Sequence, residues 1–125
     1  MASIRIAWGS GEVIAELRDT PTARALIAAL PCQSRANTWG EEVYFNVPVD
    51  AKLEPEAKHV VDAGVVCFWV QGGALALPFG PTPISRGKEC RLVTPCNVLG
   101  RIQGDPRSLG GVSDGDTIRI SLIDA

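Results

Sequence analysis

Residues Phe68–Pro83 read FWVQGGALALPFGPTP, an apolar run interrupted by two glycines and closed by a loop with two prolines. Val65 to Val70 just before is apolar on both faces, and Leu75, Leu77 and Phe79 extend the pattern beyond Gly72-Gly73. Strands buried on both faces read this way, so the segment is expected to be a buried strand that bends at the glycines and continues. Pro81 and Pro83 stiffen the loop that follows, which then walls a groove at little ordering cost.

The flanking segments are also extended. Ile4, Ile6 and Trp8 alternate with Arg5 and Ala7, and after Gly9-Ser10-Gly11 the alternation resumes at Val13, Ala15 and Leu17, the pattern of a β-hairpin. No helix begins behind these glycines, so they serve a turn and not a phosphate-binding loop. Asp19-Thr20-Pro21 offers a cap and a proline at the first helical position. Ala23, Leu26, Ile27 and Leu30 then share one helical face before Pro31.

Residues 32–41 are polar and read as irregular. Glu42 to Val49 is expected to be a strand with Val43, Phe45, Val47 and Val49 on one face, and Pro48 marks an edge or an end. A solvated loop is expected around Lys52 to Glu56. Arg91 to Thr94 and Asn97 to Ile102 supply two further strands, and Asp105-Pro106 starts a short helix through Leu109. Asp114-Gly115-Asp116 then turns into Thr117 to Leu122. Many short strands without free edges argue for closure into a barrel, mainly β, as a single domain over residues 1–125.

Composition narrows the function. The chain has 125 residues, 46% of them hydrophobic, which closes a core without disulfides or metal. Twelve basic against fourteen acidic residues give a net charge of -2 with no basic run, so nucleic acid is not the expected partner. No apolar window reaches the roughly 18 residues of a membrane span and no signal segment precedes the first strand, so a cytoplasmic protein without membrane attachment is expected. Cys32, Cys67, Cys90 and Cys96 contain no CxxC pair and His59 is the only histidine. Four reduced thiols, no metal and no cofactor are the expectation.

The order of elements resembles the cyclophilins: a hairpin, a capped helix, a Phe-x-x-Gln-Gly-Gly strand, then Val98-Leu99-Gly100-Arg101-Ile102-Gln103-Gly104. Trp39-Gly40-Glu41-Glu42-Val43-Tyr44-Phe45, Phe79-Gly80-Pro81-Thr82-Pro83 and Asp114-Gly115-Asp116 are similar to the small microbial cyclophilin-like proteins of unknown function. The likeness covers essentially the whole chain. It implies a closed eight-stranded β-barrel with one or two short capping helices, and it implies no activity.

Prolyl isomerisation crosses a barrier of about 18–20 kcal/mol and needs a donor near the imide nitrogen in an apolar groove. In the cyclophilins that donor is an arginine. Aligned on Phe68 and Gln71, its place falls on Ala63, and that of a histidine before the Gly100 strand falls on Cys96. Arg35 or Arg91 would have to supply the donor from another segment. Ser34 and Ser85 have no nearby histidine, since His59 sits in a charged segment. Glu41 and Glu42 are adjacent on a strand, point to opposite faces, and do not form a carboxylate pair; one of them faces solvent.

Tyr44 lies opposite Val43, Phe45 and Val47, beside Glu42 and Asn46, where a tyrosine can stack on a ligand and hydrogen-bond to it. Gln71 either presents its amide to a ligand or pairs with its own loop. The expected groove is formed by Trp39, Glu42, Tyr44, Gln71, Phe79 and Thr82, with Arg35 as a possible donor. The leading functional expectation is a non-catalytic module binding a peptide or small molecule, as a monomer or weak homodimer. The runner-up is a weak prolyl isomerase with a rearranged donor, and the third is a structural or interaction protein without a small-molecule site.

Overall fold

The computed structural model describes residues 2–124, so Met1 and Ala125 of the expected domain lie outside the described residues. The first hairpin joins β1 (Ala2–Trp8) and β2 (Gly11–Leu17), with Ile4 opposite Ala15 and Ile6 opposite Val13. Helix α1 (Pro21–Ala28) follows. Its cap is Thr20, whose Oγ1 accepts from Ala23 N at 3.1 Å, while Asp19 pairs with Arg24. Ala23 and Leu26 are buried by this helix, and Ile27 and Leu30 pack against the same core.

The segment 32–41 is not irregular. It holds β3 (Cys32–Arg35) and β4 (Asn37–Thr38), too short and too polar to leave a periodic signal. Strand β5 (Glu42–Asn46) stops before Pro48, which therefore stands beyond the strand end. The chain then forms β6 (Lys58–Val61), β7 (Val65–Trp69) and β8 (Ala74–Pro78). The run through Gly72-Gly73 is thus a hairpin and not one bent strand: Phe68 pairs with Leu75, and Gly73 N donates to Val70 O across the turn. Gly73 takes φ +58, the left-handed conformation such a turn needs.

The two strands expected between Arg91 and Ile102 are one, β9 (Cys90–Ile102), of 13 residues. Its first half pairs with β6 and its second with β7 and β2, and the register slips twice, between Arg91 and Cys96 against β6 and between Val98 and Gly100 against β7. Gly100 sits where β9 crosses β2; a Cβ there would lie 2.0 Å from Glu16 O. A 3-10 helix (Pro106–Gly111), capped by Asp105, and β10 (Thr117–Asp124) complete the chain.

The sheet runs β3-β10-β1-β2-β9-β7-β8-β5-β4, with β6 attached to β9 outside that path. Its two ends, β3 and β4, are separated in the chain by Ala36 alone. Ala36 N donates to Asp116 O and Ala36 O accepts from Gly115 N, both at 2.9 Å. The architecture is mainly β, a nearly closed barrel of nine strands with few short helices. Nine strands lie along this path where the resemblance implied eight, and the polar 32–41 segment supplies two of them. Inside lie Ile4, Ile6, Leu17, Phe45, Phe68, Leu77 and Ile118, each at most 1% exposed.

The segment around Lys52 to Glu56 is a largely exposed loop, as expected, and it is also pinned to the barrel. Asn97, fully buried on β9, accepts from Glu54 N at 2.7 Å and donates to Lys52 O and Thr22 Oγ1. Glu54 in turn accepts from Thr22 N at 3.1 Å. Helix, loop and barrel are thereby joined by one polar network whose buried members are all hydrogen-bonded. No helix is long and apolar enough to cross a membrane among the described residues.

Candidate functional site

Alternation along β5 assigns its two faces. Val43 and Phe45 point into the barrel, at 1% and 0% exposure, and Glu42 and Tyr44 point out. The register continues this outer row, with Tyr44 opposite Ala76 and Ala76 opposite Cys67. The folded-over first half of β9 covers the row with Cys90, Leu92 and Cys96, making a second apolar cluster outside the barrel.

A cavity of about 190 Å3 opens within this outer cluster. Its aromatic walls are Trp39, Tyr44 and Trp69. Leu92, Val93 and Cys96 of β9 close it, and small Ala76 leaves room at its floor. Tyr44 and Trp69 meet edge to face, centroids 6.2 Å apart at 85°. The six-membered ring of Trp69 lies so close over Gly72 that a Cβ there would come within 2.2 Å of it, which gives the first of the two glycines its own reason.

One carboxyl lies in this apolar wall. Glu42 is 5% exposed, and its Oε1 has no hydrogen-bond partner among the described residues; the same holds for Trp69 Nε1. Burial raises the Glu42 carboxyl to about 7, because the charged form loses its water and gains no cation in exchange. Burial also raises the neighbouring thiols, with the Glu42 charge adding to it: Cys96 is pushed up to about 12 and Cys67 well above its ordinary value. All four cysteines are free thiols, and those facing Glu42 are protonated and unreactive near neutrality. Glu41, the other carboxylate of the pair, is exposed.

The expected site residues divide. Trp39, Glu42 and Tyr44 share the outer cavity. Phe79 lines a separate, broader groove of about 730 Å3 whose rim carries Arg18, Lys58, Lys88, Glu89 and Arg101. Gln71 sits at the tip of the β7–β8 turn, its Oε1 accepting from Thr94 Oγ1 at 3.3 Å, so it pairs with β9 rather than with its own loop. Thr82 is buried and donates to Arg91 O at 2.5 Å, which ties the proline-rich loop to β9. Arg35 donates to Gly115 O at 3.2 Å and lines neither cavity. The two positions matched to the cyclophilin arginine and histidine are also apart: Ala63 lines the broad groove and Cys96 the aromatic cavity. His59 belongs to β6 and not to a loop.

Trp69, Leu92, Val93 and Cys96 complete the cavity and were not among the expected site residues. Trp69 carried a signal, because it alternates with the inward Phe68. The β9 residues carried none, since only the fold brings them across to β5.

No curated protein gives a significant match. The solution structure of a hypothetical protein from Archaeoglobus fulgidus is similar over 98% of this chain and 95% of that one, with 39% sequence identity and a TM-score of 0.84. The family model described as cyclophilin-like matches residues 2–121. Both likenesses extend over nearly the full length, and the chain belongs to the cyclophilin-like family.

Proposed function

We propose that this protein is a non-catalytic binding module that takes a small molecule, or one side chain of a peptide, into the aromatic cavity on the outer face of the barrel. The buried, unpartnered Oε1 of Glu42 carries this reading. A carboxyl in an apolar wall is costly without a partner, and a ligand that supplies one offsets the cost. Three aromatic side chains give such a ligand large, rigid contact area.

Against prolyl isomerisation by this cavity, no arginine or lysine lines it among the described residues. The test is a fragment screen read by Trp fluorescence and thermal shift, on the native protein and on Tyr44→Ala and Glu42→Gln, alongside an isomerisation assay on a proline-containing peptide. Hits that lose at least tenfold in affinity in both variants, with no acceleration of the peptide, are expected. Hits indifferent to both substitutions, or acceleration lost on Arg35→Ala, would overturn the reading.

A further inference from the structure

The chemistry of the cavity wall specifies more than shape. Among the described residues its ionisable groups are the Glu42 carboxyl, the Tyr44 phenol and the Cys96 thiol, with no lysine, arginine or histidine in the lining. Glu42 belongs to none of the ion pairs among the described residues. An anionic ligand would lie against a carboxylate in a site of low dielectric, and a neutral apolar one would leave Oε1 as it stands. A cation does two things that neither can: it pairs with the carboxylate, and it lies against the electron-rich faces of the aromatic walls.

Size and access narrow the class. About 190 Å3 is below the roughly 300–1,000 Å3 of sites for drug-sized ligands, and is scaled to one charged head with its nearest carbons. Apolar Leu92 and Val93 fit alkyl substituents on such a head. Val93 is 45% exposed, so it stands at the mouth and leaves a way out for the rest of a longer molecule.

Taken with the binding role proposed above, on which it rests, the geometry points to an alkylammonium ligand, a primary or methylated amine whose charge pairs with Glu42 while its carbons pack among Trp39, Tyr44 and Trp69. Binding then draws the carboxyl into its ionised form and releases a proton. The thiols that face Glu42 do not compete in this titration. From β7 and β9, Cys67, Cys90 and Cys96 are all raised by burial and remain neutral. On its own strand Tyr44 faces it, the adjacent Glu41 is exposed, and the β8 neighbours Ala76 and Pro78 do not titrate. Arg91, which alternates with Cys90 and Leu92, is held by Glu89 at 2.6 Å.

The experiment uses four probes on the full chain: choline, n-butylammonium, the neutral isostere 3,3-dimethylbutan-1-ol, and butyrate. Binding is followed by Trp fluorescence and by calorimetry in two buffers of different ionisation heat. At least one of the two cations is expected to bind at least tenfold more tightly than the neutral isostere, with butyrate weaker still. Affinity for the cation should rise about tenfold per pH unit below the Glu42 midpoint and level off above it, because only the ionised fraction is competent. Glu42→Gln should remove both the preference and the pH dependence; its melting curve shows whether it is folded, and Trp39→Ala, as a second variant, should weaken the cation while leaving the pH dependence in place. Equal affinity for cation and neutral isostere overturns the alkylammonium assignment while leaving the cavity a binding site. So does failure of both cations when fragments still bind in a Tyr44-dependent way. If neither probes nor fragments depend on Tyr44, both readings fall together.

Discussion

The two faces of β5 are made by the same five residues and live in opposite conditions. Inward, Val43 and Phe45 join a core of apolar side chains. Outward, Glu42 and Tyr44 join a second apolar cluster that has a cavity, an unpartnered carboxyl and an unpartnered indole N–H. The inward residues of β5 have no polar side-chain atoms to satisfy, although Trp8 Nε1 in the same cluster is buried without a partner among the described residues. The outer face carries a carboxyl that the fold buries without satisfying, at a cost Val43 and Phe45 do not bear. Polar groups buried this way mark places where the protein gives up stability, and function is the usual reason.

The largest test of this contrast compares neighbours on one strand. Phe45→Ala empties a fully buried site and should cost about 3–5 kcal/mol. Tyr44→Ala, half-buried against a cavity that is already open, should cost clearly less, with both measured by denaturant unfolding at an unchanged m-value. Equal losses would mean that the outer cluster is as closely packed as the barrel, and the contrast would break.

Next in size is the pH dependence that Glu42 imposes. Its folded value of about 7 lies above its ordinary 4.5, so the folded state holds a proton that the unfolded chain gives up first. The sign follows: the protein is most stable on this account below pH 4.5, loses stability as pH rises through the window between the two values, and levels off above about 7. The full loss is about 3 kcal/mol by linkage. Glu42→Gln should flatten that slope in urea melts taken across the window. A slope unchanged by the substitution would place the titrating group elsewhere.

Gly72→Ala probes the same face from the turn. A methyl group at 2.2 Å from the Trp69 ring forces the indole or the turn to move, with an expected cost of about 1–3 kcal/mol and a shift in Trp emission. Gly73→Ala, where a Cβ meets nothing within 4 Å but the backbone stands at φ +58, should destabilise without moving the emission. If the two variants have the same emission spectrum, Trp69 is not seated on Gly72.

How far the sequence carries follows from this two-sidedness. Alternation placed Val43 and Phe45 apart from Glu42 and Tyr44, because facing is a local property of a strand. The same logic failed at Gly72-Gly73. Once β9 covers the outer face, β7 and β8 are buried on both sides, and two apolar strands around a turn read like one strand with a bend. Closure was expected, but the strands at the two ends of the sheet were hidden for the opposite reason: β3 and β4 total six residues, nearly all polar, and Ala36 between them bonds to Asp116 and Gly115 some 80 positions away. Trp39, Glu42 and Tyr44 were accessible as a group since they are neighbours in the chain. Their partners Leu92, Val93 and Cys96 were not, because no local pattern records which distant strand folds over them.

The smallest expected effect lies on the opposite outer face, where β1 and β2 meet solvent. Arg5 Nε donates to Glu12 Oε2 at 3.0 Å, with the two side chains 45% and 52% exposed. Nothing folds over this pair, so water screens it, and holding two long side chains in one geometry costs entropy that offsets most of the attraction. A double-mutant cycle with Arg5→Ala and Glu12→Ala should give a coupling below about 1 kcal/mol that fades in molar salt. The barrel's exterior would then be of two kinds: a solvated face whose charges satisfy one another cheaply, and a covered face with a single carboxyl that nothing in the fold satisfies. A coupling well above that bound, persisting in salt, would mean that the β1–β2 face is also shielded from water, and the outer cavity would lose its claim to be the place where this barrel differs from a purely structural one.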